Sequence, residues 1–436
     1  QFLEFDKSIM KKVIVRGPAL SRSGYGEQTR FALRSLRTQG DKYDIYVINT
    51  GWGKTSCIWE DDSERRWLDH LLVKTQNFMR AHEQQKIQPE FDISLQVTIP
   101  NEWEQMAPIN IGYTAGIETT KVAPVWLEKA NMMDKIIVTS NHAKFGFDTT
   151  SYQGTTPQGQ QVELKNTTPI AVVNYAVREV NPRDLDLELE TNFNYLCVAQ
   201  WGPRKNVPNT VKWFIEANHD KEDVGLILKI SVANNSIIDK ETTLGKIDSI
   251  TSDYPDMKCK VYVIHGDMLE DELHGLYRHP KIKALISISH GEGYGLPLFE
   301  AGYNELPIIT TDWSGQCDFL YAKDKKDRMK PMFLRVDYEL GQIQPEAVWD
   351  GVLQKESMWC YAHESSFKSK LADLKDHYGA HVKRAKTLAA HIKENFTEEK
   401  IYSKFVSAME TTSAAVPMTQ NTQTPPKEDF EEVFVV

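Results

Sequence analysis

The sequence predicts an α/β protein made of two Rossmann-like, doubly wound parallel-sheet domains that face each other across a cleft. Three observations carry that expectation. The chain has 436 residues, too many for one ordinary domain and suited to two. Short β-branched runs alternate with longer amphipathic stretches nearly from end to end. Strands that are apolar on both faces and separated by helices belong to parallel sheets covered on both sides. Finally, the alternation stops once, in Arg178–Phe193, which is rich in Pro, Asp and Glu and lacks apolar periodicity.

In the first half the expected strands are Lys12–Val15, Asp44–Ile48, Ile93–Val97, Ile109–Tyr113, Lys135–Thr139 and Ile170–Val173. In the second half they are Tyr195–Ala199, Leu226–Ile230, Lys260–Ile264, Ala284–Ser287, Pro307–Thr310 and Phe333–Val336. Two such series imply two sheets. The expected organisation is a first domain over 10–180, a linker over 181–193 and a second domain over 194–385. A helical run from about Ser366 to Met409 ends the chain's folded part, with 386–410 packing back on the first domain. Residues 1–9, ahead of Met10, read as an appended, flexible start. Thr411–Val436, rich in Thr, Pro and Gln with an acidic end, reads as a disordered tail closing on apolar Val433–Val436.

Composition narrows the function classes. Hydrophobic residues make up 41% and Trp numbers ten, so large cores can form. No window approaches 18 unbroken apolar residues, so no membrane span is expected. Five scattered cysteines without a CxxC suit a reduced, cytoplasmic chain without disulfides or structural zinc. A net charge of −10 gives no global attraction to nucleic acid or anionic membrane.

The most informative stretch is His290–Leu320, HGEGYGLPLFEAGYNELPIITTDWSGQCDFL. Glu292 and Glu300 stand eight positions apart around a turn containing Gly293, Tyr294 and Gly295, closed by Leu296-Pro297. Glycines let backbone approach a ligand and adopt positive φ. A helix beginning near Pro297 would aim free N–H groups at an anion. Carboxylates on either side of that turn suit the hydroxyls of a sugar and a ribose, so the block reads as a nucleotide-sugar site. Arg204 and Lys205 directly follow a strand, where a doubly wound sheet places its ligands, and two cations there suit a diphosphate. Lys229 ends the next strand and is a further candidate cation.

Ser23-Gly24-Tyr25-Gly26 follows the first strand. A dinucleotide fingerprint would want a third glycine where Thr29 stands and an acidic residue where Asn49-Thr50 stand. The NAD reading therefore loses to a loop, around Gly24 and Gly26, whose amides face a donor phosphate from the opposite domain.

These blocks resemble the retaining GT-B glycosyltransferases of the GT4 group, over most of residues 10–410. The likeness rests on the E-x7-E element of Glu292 and Glu300, on Trp201-Gly202-Pro203-Arg204-Lys205-Asn206 as a compressed phosphate-binding turn, on Ser23–Gly26, and on GYTAGIETTKVAPVWLEKANMMDKIIVTSNHAKFGF, a block like one common in bacterial and phage members. The resemblance implies a metal-independent, retaining hexosyl- or pentosyltransferase without a cofactor, using a UDP- or GDP-linked sugar as co-substrate. It implies that Glu292 contacts donor-sugar hydroxyls and Glu300 the ribose, that amides near Gly293–Leu296 hold phosphate, and that backbone of His265-Gly266-Asp267-Met268 meets the nucleobase. Many family members place a His near Glu118, and none occurs here between His82 and His142. Glu118 replaces it or merely caps the following segment, and His142 is the nearest alternative.

The acceptor implied is a hydroxyl of a glycan or glycolipid. One alternative is a hydroxymethylated DNA base, which would need a basic face on the first domain from Lys121, Lys129, Lys135 and Lys144. Others are a non-catalytic nucleotide-sugar-binding module, or a phosphorolytic enzyme with pyridoxal phosphate, for which no lysine is singled out. Asp184-Leu185-Asp186 matches the D-x-D that a metal-dependent transferase would use, but it lies in the acidic linker and implies no metal.

Overall fold

The computed structural model describes residues 10–155 and 158–410, so the readings made for 1–9 and 411–436 lie outside the described residues. Twelve parallel strands occupy the twelve expected positions. The first six are β1 (Lys11–Gly17), β2 (Tyr43–Asn49), β3 (Ile93–Val97), β4 (Ile109–Thr114), β5 (Lys135–Val138) and β6 (Ile170–Val172), in the order β2-β1-β3-β4-β5-β6. The second six are β7 (Phe193–Gln200), β8 (Val224–Ser231), β9 (Lys260–Ile264), β10 (Ile282–Ser287), β11 (Ile308–Thr311) and β12 (Leu334–Val336), in the order β9-β8-β7-β10-β11-β12. All of these ladders are parallel.

Central strands read as unbroken apolar runs because helices cover both faces. Val13, Ile14 and Val15 are all fully buried, as are Leu226, Ile227 and Leu228. Helices Gly24–Arg37 and Ser63–Gln85 cover the first sheet; helices Val207–Asn218 and Glu364–Asp376 cover the second. Each order reverses once. In the first sheet the reversal lies between β1 and β3, and in the second between β7 and β10. Ligands of doubly wound sheets bind beyond the strand C-termini at these switch points.

The segment 181–192 carries no helix or strand. Its leucines, Leu185, Leu187 and Leu189, pack on the core, while Asp184 and Asp186 point to solvent. The expected continuous C-terminal helical run is instead three helices, Glu364–Asp376, Tyr378–Asn395 and Glu398–Met409. Thr397 caps the last helix through its side chain, which accepts from Lys400 N, and that helix lies on the first domain, with Phe405 against Phe31 and Tyr113. The helix before it stays on the second domain, where Leu388 and Ile392 press on Gly302. The crossing at Phe396-Thr397 runs beside Val177, whose N–H donates to Phe396 O at 2.7 Å.

Three short antiparallel hairpins were not visible as periodic runs: Ser151–Thr155 with Gln161–Lys165, Tyr321–Lys323 with Met329–Pro331, and Tyr338–Gln342 with Met358–Ala362. Among the described residues no helix is long and apolar enough to cross a membrane, and all five cysteines are free.

Candidate active site

The second sheet's switch point joins the turn after β7 to the turn after β10. His290 N donates to Arg204 O at 2.8 Å, and Asn206 Nδ2 to Ile288 O at 3.3 Å. This stitching brings Arg204, Lys205 and Glu292 together. Lys205 Nζ lies 2.5 Å from Glu292 Oε1, and Arg204 Nη1 lies 3.0 Å from Oε2. Arg204 also donates to Gly291 O at 2.6 Å. Glu118 comes from the first domain and places Oε1 3.4 Å from Arg204 Nε. All four expected catalytic side chains therefore meet in one cluster, although they arise from three turns in two domains.

Burial would raise the Glu292 carboxyl, but Lys205 and Arg204 outweigh it and hold the group down at about 2. Burial would lower the Arg204 guanidinium, yet Glu118 and Glu292 push it up overall. Lys205 goes the other way, since burial and Arg204 together exceed the support from Glu292. The bonds from both cations to the carboxylate favour an ionised Glu292. Two cations sharing one carboxylate are poised for a second anion.

The glycine turn supplies further donors. Gly295 sits at φ +94° as the N-cap of helix Leu296–Tyr303, with proline in its first turn. Phe299 N donates to Gly295 O, and the N–H groups of Leu296 and Leu298 have no partner among the described residues. Gly293 packs against Ala115 of the first domain. The Tyr294 side chain is buried against Tyr175 and Phe319, which leaves its backbone for a ligand. Glu292 N donates to Ser314 Oγ at 2.9 Å, and Ser314 is held at φ +78°, rare for a side-chain-bearing residue.

Glu300 accepts from Tyr277 OH at 2.9 Å. Burial, which exceeds the help of that bond, and the nearby Glu270 and Glu27 raise its carboxyl to about 8. Lys229 Nζ is engaged with Gly266 O at 2.7 Å, and burial lowers its ammonium. The Met268 carbonyl accepts from Arg22 Nη1 at 3.2 Å. Across the cleft, Ser23 caps helix Gly24–Arg37 by accepting from Gly26 N at 3.0 Å. The Gly26 amide is therefore spent on the cap, leaving those of Gly24 and Tyr25 without a partner among the described residues. Tyr25 OH meets Thr114 Oγ1 at 2.8 Å.

These groups line one cleft of about 930 Å³, to which Gly24, Tyr25, Glu118, Arg204, Lys205, Lys229, Glu292, Gly293–Leu296 and Glu300 all contribute. A second, charged cavity of about 750 Å³ adjoins it and includes Met268 and Glu300. His142 lies outside both linings. Its ring meets Trp313 edge-on at 4.9 Å, and burial lowers it to about 4. Among the described residues no group of three His, Cys, Asp or Glu side chains is placed to hold a metal ion. Sequence reasoning missed Tyr277 and Ser314, which act on the two glutamates. Ser314 precedes Gly315 within the His290–Leu320 stretch, whereas nothing local marks Tyr277.

No family model matches the chain, and no curated protein matches its sequence. Solved structures do resemble it in three dimensions. A sucrose-phosphate synthase from Thermosynechococcus elongatus superposes with a TM-score of 0.60 at 11% identity, over 91% of this chain and 98% of that one. Anabaena HepE in complex with UDP and glucose gives 0.55 at 10% identity, over 92% and 99%. An Escherichia coli trehalose-6-phosphate protein bound with UDP-2-fluoro glucose gives 0.54 at 11% identity, over 91% and 98%. The fold is GT-B, two Rossmann-like domains facing across a cleft.

Proposed function

We propose that this chain is a retaining glycosyltransferase of the GT4 type, moving a sugar from a UDP- or GDP-linked donor to a hydroxyl of a glycan or glycolipid. The observation that carries the reading is the convergence of Arg204, Lys205 and Glu292 at the second sheet's switch point. The unpartnered amides of helix Leu296–Tyr303 lie in the same cleft. The likeness to HepE, seen with UDP and glucose, and to the protein seen with UDP-2-fluoro glucose, supports the donor class.

In this reading the diphosphate sits between Arg204, Lys205 and the Gly293–Leu296 amides, with Glu300 on the ribose and Glu292 on sugar hydroxyls. As the anomeric C–O bond breaks, negative charge grows on the leaving phosphate, where preorganised cations and N–H donors stabilise it. Both Glu292 oxygens are engaged by cations, which makes that carboxylate a poor covalent nucleophile. The acceptor proton then passes to the leaving phosphate on the same face of the sugar, which preserves configuration. Glu118, bonded to Arg204 from the acceptor-side domain, links acceptor and donor halves. The modified-DNA reading loses support. Lys129 is engaged with Trp103 O, Lys144 with Asp148, Lys135 with Glu410 O, and Lys121 lies over the Tyr152 ring, and none of the four lines the cleft.

The test is release of free nucleotide from UDP-, GDP-, ADP- and dTDP-sugars, with the anomeric configuration of the product read by NMR. One nucleotide released, with retention, supports the proposal. Release of none, with binding intact, would leave a sensor of nucleotide-sugars.

A further inference from the structure

The second domain sends an arm over the acceptor side of the cleft. Strands Tyr338–Gln342 and Met358–Ala362 pair, and the chain between them reaches the first domain. Thr120 N donates to Met358 O at 2.9 Å, and Met358 N to Thr120 Oγ1 at 3.0 Å. At the arm's tip, Asn101 Nδ2 donates to Gly351 O at 2.9 Å, while its Oδ1 accepts from Trp126 Nε1 at 2.7 Å. Val352 is buried in the first domain's core. Gly351, at φ +70°, closes a tight turn in which Leu353 N donates to Trp349 O at 2.7 Å. The turn fixes the backbone of Trp349, but its side chain is 59% exposed and lines the same cleft as Arg204 and Glu292. The Tyr25–Trp52 ring pair, with centroids 4.2 Å apart, lines that cleft from the first domain.

An indole left in water by a pinned turn forfeits burial that a packed position would supply. We propose that Trp349 is the platform of an acceptor subsite that takes the apolar face of a neutral sugar ring. The proposal rests on the transferase reading above and names the acceptor for it. A pyranose presents polarised C–H groups on one face, which suit the negative face of an indole, and hydroxyls at its edge. The arm contributes Glu346 to the lining, and the first domain contributes Glu118. The Glu346 carboxylate accepts from hydroxyls and repels phosphate, so the arm side of the cleft suits an uncharged glycan and disfavours a nucleic-acid strand.

Saturation-transfer NMR with methyl glucosides, galactosides and mannosides tests this without any donor, so its outcome is separable from nucleotide binding. Ring protons of at least one hexoside should receive saturation from the wild-type protein. The affinity should weaken about tenfold in Trp349→Ala. Trp59→Ala, which removes an equally exposed indole (66%) outside the cleft lining, should match wild type, and circular dichroism should show all three proteins folded. Equal affinity in Trp349→Ala, or no saturation of any hexoside, would overturn the proposal. So would Trp349-dependent binding of a single-stranded oligonucleotide carrying hydroxymethylcytosine in place of the hexosides.

Discussion

Glu292 occupies the space between two cations that would otherwise repel each other at the second sheet's switch point. Removing one member of a buried pair costs more than the pair contributes, about 3–5 kcal/mol. Glu292→Gln should therefore lower stability in urea, yet keep or tighten binding of free UDP or GDP, since Arg204 and Lys205 then seek a replacement anion. Turnover should fall at least about 100-fold. The two glutamates also respond oppositely to pH. Glu292 is depressed to about 2, so its contribution is present above the ordinary carboxylate value of 4.5 and is lost as pH falls towards 2. Glu300 is raised to about 8. The native state then holds a proton that the unfolded chain has lost, and stability declines as pH rises from 4.5 to 8. Thermal melts of Glu300→Gln should lack that decline. In the proposed placement ribose hydroxyls donate to Glu300 and favour its carboxylate, so nucleotide binding at pH 7 should release protons. Calorimetry in buffers of differing ionisation enthalpy would show it, and buffer-independent heats would remove Glu300 from the ribose site.

The turn after β10 is the element that assembles the site, and two of its glycines are there for steric reasons. A Cβ on Gly291 would stand 2.2 Å from Glu118 O, a first-domain backbone atom. Gly291→Ala should therefore push the domains apart and reduce turnover more than it reduces thermal stability. Gly295, at φ +94°, should cost about 1–2 kcal/mol on change to Ala, measured by urea unfolding. Much at this scale was legible in the sequence. The central strands are apolar on both faces, as in Val13–Val15 and Leu226–Leu228, and Glu292, the glycines and Glu300 are neighbours along the chain. The three hairpins were not legible, because their strands are only three to five residues long and some, such as Gln161–Lys165, are largely exposed. The arm bearing Trp349 was missed for a different reason. Its identity lies in contacts with Asn101 and Thr120, more than 200 positions away, and no local pattern encodes them.

At the scale of the whole molecule the two domains are held closed by polar contacts over the cleft. Asp318 of the second domain accepts from Asn141 N at 2.9 Å, from Asn141 Nδ2 at 3.1 Å and from Asn174 Nδ2 at 2.8 Å. Ser56 donates to Asp267 at 3.0 Å on the opposite flank. The chain crosses between domains at Val177 and Thr397, side by side, an arrangement that permits hinge opening. Asp318→Ala should enlarge the radius of gyration seen by X-ray scattering. It should also lower turnover about tenfold, because a cleft that fails to close admits water and misplaces the reacting groups. The two doubly wound parallel sheets facing across a cleft followed from the sequence pattern, whereas the strand order within each sheet came from the structure; the closed pose depends on single polar side chains in loops, where sequence gives no geometric signal.

In the proposed function Arg204 and Lys205 form the diphosphate seat of a nucleotide-sugar site. Calorimetric titration of UDP and GDP into wild type and the Arg204→Ala/Lys205→Ala double variant tests it most directly, repeated at two salt concentrations. Wild type should bind at least one nucleotide, more weakly at high salt, and the double variant should lose at least about 100-fold in affinity. Equal affinity in both proteins would contradict it and place the nucleotide elsewhere.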